Sequence, residues 1–272
     1  MTGRIPPRTL WVGYGRVGAR AGEELLARCG EVIALRRSTA HAHDGIRGVR
    51  ADLSEAPAEA LPESQAMVIT LPPPQQGYRG VLENLAAALP RVPERTVFVS
   101  STRVFDGDAE AADPAPLLTE QDPPSPRSER ARALREGERI AEDLFGALVV
   151  RPAGIYGPGR DRLLRTVRER RPVQHRRRTN RIHEVDLARA LVAMLEHPQP
   201  PPLLHAVDGA PARLGEVVTF LAARLGVDPP PAAAEDPGHG TRLSGALLRT
   251  VLSDLTHPDF RSGYAQMLQQ QH

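Results

Sequence analysis

The apolar run Val97-Phe98-Val99 is followed at once by Ser100, Ser101 and Thr102. A short β-branched and aromatic run reads as a buried strand, so three hydroxyls surface together at its end. A hydroxyl there can donate a hydrogen bond to a carbonyl oxygen, but it needs an acid or base beside it to move a proton. A second spacing with chemical meaning is Gly13-Tyr14-Gly15-Arg16-Val17-Gly18, a GxGxxG string between the apolar "LWV" and the helical "ARAGEELLARCG". In a strand–turn–helix context Gly13 permits the tight turn, Gly15 lets a pyrophosphate approach the backbone, and Gly18 lets helix and strand pack closely. The helix N-terminus adds N–H donors and a positive dipole. The plainer alternative is a glycine turn with no ligand.

The next strand-like segment, "EVIALRRS", ends in Arg36, Arg37 and Ser38. An NAD site usually places Asp or Glu there to hold the ribose 2′-hydroxyl. Two guanidiniums and a hydroxyl suit a 2′-phosphate instead, which favours NADP, the alternative being solvated loop charges. Asp52 and Leu53 in "ADLSE" fall where the adenine edge would lie, and Leu71 and Ser100 fall at strand ends beside the nucleotide.

These residues need a scaffold, and the pattern supplies one. Residues 9 to 150 alternate short apolar runs ("TLWVG", "EVIALRR", "AMVITL", "TVFVSS", "ALVVRPAGIYG") with helical patterns ("ARAGEELLARCG", "YRGVLENLAAALP", "RARALREGERIAEDLF"). Apolar strands interleaved with helices predict an α/β, Rossmann-type doubly wound parallel sheet. "LLHAVDG" is expected as a late strand after the helix "VDLARALVAMLEH". The expected division is a nucleotide-binding core over 1–157, completed by 182–209, and a smaller substrate lobe from 158–181 and 210–272.

The chain has 272 residues, 40% of them hydrophobic, enough for one large domain with a real core. No run approaches the roughly 18 apolar residues of a membrane span, and "MTGRIPPRTL" lacks the apolar centre of a signal peptide, so a cytoplasmic protein with no membrane partner is expected. The single cysteine, Cys29, allows no internal disulfide and no multi-cysteine metal site, and reads as a packed thiol. The net charge is +2 and every cation among Lys and Arg is arginine; with no lysine anywhere, Schiff-base chemistry and lysine-assisted proton transfer are excluded. Without interleaved aromatics or a binding motif, the basic stretch "GRDRLLRTVRERRPVQHRRRTNRIH" does not read as a nucleic-acid site. Leu163, Leu164 and Val167 share a helical face in it, with Arg162, Arg165 and Glu169 turned away, so it reads as a solvated face or as the border of an anionic-substrate pocket.

Taken together, "GYGRVG", "VSSTRVFDG", "VVRPAGIYGPGR" and "NRIHEVDLARAL" resemble the extended and atypical short-chain dehydrogenase/reductase superfamily, of the NAD-dependent epimerase/dehydratase type. The resemblance runs through the closing "TRLSGALLRTVLSDLTHPDFRSGY". It implies a dinucleotide cofactor, a small-molecule substrate and Ser101 as the catalytic hydroxyl, with Val104-Phe105 as the counterpart of the motif's Val-Tyr. It also implies a Tyr and, four residues later, a Lys on the next helix, upstream of a helical Glu. With Glu138 as that Glu, Arg130 stands at the Tyr position and Leu134 at the Lys position. The usual acid, a Tyr with its pKa lowered by an ammonium, is therefore missing.

Other candidates for the acid are Tyr156 in "AGIYGPG", His183, Tyr78 or an ordered water. Each has a plainer role: Tyr156 packing under its turn, and His183 as a hydrogen-bonded structural histidine before a helix that Asp186 could cap. Glu120, in "LLTEQDPP", falls at a position that shapes the loop over the site. Three functional readings stand: an NADP(H)-dependent oxidoreductase whose acid comes from elsewhere, a non-redox epimerase, dehydratase or lyase on the same fold, and a non-catalytic NADP-sensing protein. Helices flanking such sheets often pair, so a homodimer is one expected assembly.

Overall fold

The computed structural model describes residues 6–28, 30–37, 45–56, 59–107 and 115–270. Cys29 and Ser38 lie outside them. Seven strands form one sheet: β1 (Arg8–Val12), β2 (Glu31–Arg36), β3 (Ile46–Arg50), β4 (Ala66–Ile69), β5 (Arg95–Val99), β6 (Leu148–Pro152) and β7 (Leu203–Ala206). Their order is β7-β6-β5-β4-β1-β2-β3, every pairing parallel. The chain winds outward one way from β1 to β3, then returns to β4 and winds the other way. The order thus reverses between β1 and β4, and at such a switch point the carboxyl ends of the strands open a crevice.

Alternation along β1 shows why both faces are covered. Leu10 and Val12 pack with Ile33, Met67 and Phe98 beneath the helices α2 (Arg79–Ala88) and α3 (Glu129–Phe145). Trp11 packs on the opposite face with Val68, Val97 and Val150 beneath α1 (Arg16–Ala27) and α5 (Glu184–Glu196). Side chains of period two, apolar on both sides, are what a parallel sheet sandwiched by helices requires.

A second apolar cluster joins α4 (Arg162–Arg168), α6 (Leu214–Leu225) and α8 (Phe260–Gln269) through Leu164, Val217, Leu221 and Phe260. Within the 210–272 stretch expected as a lobe, α7 (Ala246–Leu252) behaves differently: Leu248 sits in the core with Leu187 and Leu191 of α5. The helix at 184–196 is capped by His183, whose Nδ1 accepts the N–H of Val185 at 3.3 Å. This corrects the expectation for Asp186, whose carboxylate instead accepts the N–H groups of Thr256 (2.7 Å) and His257 (2.9 Å) and tethers the segment leading to α8. No helix among the described residues is long and apolar enough to cross a membrane.

Candidate active site at the strand ends

The glycine turn leaves β1 at the switch point. Gly13 has φ +84°, a conformation open to glycine, and its N–H donates to the Leu35 carbonyl at 3.1 Å. A Cβ on Gly15 would meet nothing closer than the Gly13 carbonyl oxygen at 3.9 Å, so the backbone there faces open space. A Cβ on Gly18 would lie 2.9 Å from the indole nitrogen of Trp11, which fixes how closely α1 packs on β1. The three glycines thus differ in their surroundings: Gly13 in a positive-φ turn, Gly15 before open space, Gly18 against Trp11.

Around this turn the other expected nucleotide contacts divide. Arg36, at the end of β2, lies over the ring of Tyr14 with 5.1 Å from guanidinium carbon to centroid, and Arg37 beside it is exposed. Tyr14 itself is 4% exposed, and burial pushes its hydroxyl up to about 12 against the opposing charge of Arg36; its side chain is a platform for Arg36 rather than a ligand contact. Asp52 is held below the usual carboxylate range by the backbone and side chain of Ser54, with Arg37 adding to the effect. The Leu53 side chain is buried in the core under α2, not turned to the crevice. Val17 is half-buried against the α1–α5 core. Arg16 reaches across the crevice mouth, donating to the carbonyl of Gly159 at 2.6 Å. Behind that contact, the buried Glu184 binds both Arg20 of α1 (2.8 Å) and Arg160 (3.1 Å).

One residue of this turn escaped the sequence reading. Thr70, just after β4, donates to the Gly13 carbonyl at 2.7 Å and accepts from the Trp11 indole at 3.1 Å. Its only sequence signal is a hydroxyl closing the apolar run "AMVITL".

Ser101 caps the short 3-10 turn Thr102–Phe105, its Oγ accepting the N–H of Arg103 at 3.2 Å. A hydroxyl that accepts one backbone bond keeps its own proton for donation. Ser101 stands between two spaces. A smaller one, about 320 Å³, runs along the ends of β4 and β5 past Thr70, Leu71, Ser100, Arg130 and Leu134. A larger one, about 760 Å³, extends toward α4 and α8 and is lined by Arg103, Arg160, Arg162, Arg177 and Arg181. The register read from the sequence therefore brings Arg130 and Leu134 to the same space as Ser101. Ser100, 7% exposed, lies beside the carboxylate of Glu138. Burial would push Glu138 up, but the paired bonds from Arg151, both 2.8 Å, with Ser100 and Arg135, hold it below the usual range.

The other expected proton donors are held by neighbours, although Tyr78 lines the smaller space and Tyr156 the larger one. Tyr156 is 3% exposed; it donates to the Asp259 carbonyl at 3.1 Å, sits over Gly263, and burial raises its pKa. Tyr78 donates to the Leu71 carbonyl at 2.8 Å in full burial. His183 is fully buried with its ring 3.9 Å from that of His257, and burial lowers it to about 4, so it is neutral at pH 7 and committed to its helix. His183 is thereby a capping residue, and Tyr156 and Tyr78 spend their hydroxyl protons on backbone carbonyls. Glu120 accepts the N–H of His205 at 2.9 Å, a loop-anchoring role. Among the described residues, no group of three or more His, Cys, Asp or Glu is placed to hold a metal ion.

Residues 79–202 match the model of the RmlD substrate-binding domain. A dTDP-4-dehydrorhamnose reductase of Mycobacterium tuberculosis is 32% identical over 179 residues, which are 61% of this chain and 58% of that protein. A solved protein of Methylobacillus flagellatus, assigned to the NAD-dependent epimerase/dehydratases, superposes with TM-score 0.78 at 26% identity, covering 98% of this chain and 99% of that one. WbmG of Bordetella bronchiseptica, solved with NAD, superposes with TM-score 0.75 over 98% of this chain and 95% of that one; at 14% identity it speaks for the fold. With its seven-stranded parallel sheet and its glycine turn at the switch point, the chain has the fold of the NAD-dependent epimerase/dehydratase proteins, and over residues 79–202 it is similar to the RmlD substrate-binding domain.

Proposed function

We propose that the protein is an NADP(H)-dependent oxidoreductase acting on a carbonyl of a small anionic substrate, of the nucleotide-sugar kind that its relatives' names indicate. The observation that carries this reading is the position of Ser101, on the wall shared by the space at the strand ends and the larger arginine-lined cavity. The open backbone at Gly15 and the N-terminus of α1 fit a pyrophosphate, and Arg36 and Arg37 fit a 2′-phosphate. The nicotinamide, when bound, supplies or accepts the hydride. Ser101 Oγ donates to the substrate oxygen and orients the carbonyl carbon. Charge that builds on that oxygen meets the guanidinium of Arg130, which lines the same space. Water then provides the proton that the family's Tyr would give.

The test combines calorimetric titration of NADPH and NADH with absorbance-followed NADPH consumption on simple ketones and on dTDP- and UDP-linked keto sugars. NADPH binding with turnover of an anionic carbonyl substrate is the expected result. Failure to bind either dinucleotide overturns the reading. Binding without NADPH consumption, but with interconversion of a nucleotide sugar, establishes the non-redox alternative, which the epimerases and dehydratases among the solved neighbours favour.

A further inference from the structure

Arg16 is the first residue of α1 and follows Gly15, whose backbone faces open space. Its exposed guanidinium crosses to the loop 157–160, donating to the carbonyls of Gly159 at 2.6 Å and Pro158 at 3.4 Å. One helical turn on, Arg20 donates to one carboxylate oxygen of Glu184 at 2.8 Å, and Arg160 donates to the other at 3.1 Å. The loop is therefore held to α1 twice, at its tip by Arg16 and at its base through Glu184. Both grips depend on close approach: a Cβ on Gly157 would lie 2.5 Å from Glu184 Cγ, and one on Gly159, where φ is +73°, would lie 2.8 Å from a terminal nitrogen of Arg16. The two grips differ in strength. The Glu184 side chain is 3% exposed and shared between two guanidiniums, so breaking this grip strands a buried charge. The bond from Arg16 joins a guanidinium to a neutral carbonyl at the surface, where water replaces both partners at little cost. The base of the loop stays anchored while its tip opens and closes.

We propose that Arg16 is a latch on the dinucleotide site: its bond to Gly159 holds the loop 157–160 closed over the glycine turn, and its opening admits and releases the dinucleotide. This rests on the reading of that turn as a dinucleotide site. Both partners of the latch belong to the protein, so it closes with the same energy whether or not a dinucleotide is bound, and its removal changes rates rather than affinity. A ligand contact behaves otherwise, because its loss lowers affinity through faster release.

Stopped-flow fluorescence of NADPH binding, and of its displacement by excess NADP, gives kon and koff for the full chain. High ionic strength in all measurements screens the steering effect of a single charge. Arg16→Met removes the donor. Gly159→Ala keeps the charge of Arg16 but places a methyl where its guanidinium lies, so it separates the latch from any attraction of Arg16 for phosphate. Both variants should raise kon and koff together, each by roughly threefold to tenfold, with Kd within about twofold of wild type. Arg16→Met should also unfold at the wild-type Tm, since the bond it loses is exposed. The inference is overturned if either variant fails to raise both rates; a rise in koff alone makes Arg16 a phosphate contact instead. In those cases a wild type that binds NADPH leaves the dinucleotide reading standing, whereas a wild type that binds neither NADPH nor NADH removes both.

Discussion

Thr70 Oγ1 donates a 2.7 Å hydrogen bond to the carbonyl of Gly13, tying the end of β4 to the turn that leaves β1. The turn is therefore held from the side opposite its open face, and the glycines should respond differently to a side chain. Gly15→Val places its methyls in open space on the pyrophosphate path, and should abolish dinucleotide binding in a protein that unfolds near the wild-type Tm. Gly18→Val drives a methyl into Trp11 and should cost on the order of 1–3 kcal/mol of stability. Calorimetric titration and thermal unfolding separate the two; binding retained by Gly15→Val contradicts the role given to the turn.

Cofactor choice follows from the end of β2. Arg36 rests on Tyr14 and Arg37 is exposed beside it, so two arginines stand at the strand end where Asp or Glu would hold a 2′-hydroxyl. NADPH should bind roughly tenfold or more tightly than NADH, from charge-assisted contacts of about 1.5–3 kcal/mol each. Replacing both arginines with alanine should erase the difference. Equal affinities in the wild type count against the assignment, and so does a double variant that discriminates as before.

The sheet was legible because each strand is apolar on both faces, and the turn because GxGxxG sat between a strand and a helix. The register from Ser101 to Arg130 and Leu134 was legible for a similar reason: a strand end and one long helix fix their own side-chain directions. Tyr156 was not legible. Its sequence position puts it at a strand mouth, and only Gly263 and Asp259, more than a hundred residues later, show that its hydroxyl is enclosed. Arg181 was hidden for a different reason. It lies in a stretch crowded with arginines, and its burial comes from Phe260 and Tyr264 on α8. Residue type and local spacing carry no trace of such long-range enclosure.

Acid should unfold this protein earlier than its carboxylates alone would require. Burial, with smaller effects from His257 at His183 and Arg151 at His205, lowers both imidazoles to about 4. A histidine lowered in the folded state takes up a proton first in the unfolded chain. Stability is then full above the unfolded value of about 6.5 and falls as pH drops from there toward 4, by at most about 1.4 kcal/mol per pH unit for each residue. Asp208, raised by burial to about 7 in the folded state, contributes with the opposite sign over the same window, so the test is the difference between two proteins. In chemical denaturation between pH 7.5 and 4.5, His205→Phe, in a site already walled by Phe105, should lose less stability toward acid than wild type. Equal acid sensitivity of the two contradicts the assignment.

Ser101 is the last residue to be tested, because its role depends on the groups that share its space. As a hydrogen-bond donor to the substrate oxygen, its loss in Ser101→Ala should reduce kcat by roughly 10²–10³, typical for one such donor, with NADPH affinity nearly unchanged. Installing Arg130→Tyr with Leu134→Lys should raise turnover of simple ketones, since both positions line the space beside Ser101. The gain carries a stability cost: Leu134 is 4% exposed among Val104, Phe105 and Leu243, so the new ammonium must reach the cavity past apolar neighbours. The double variant should therefore unfold at a lower temperature than wild type while reducing ketones faster. If wild type already reduces ordinary ketones well and Ser101→Ala does so equally, the hydroxyls after β5 only cap the strand end, and the reacting carbon lies elsewhere.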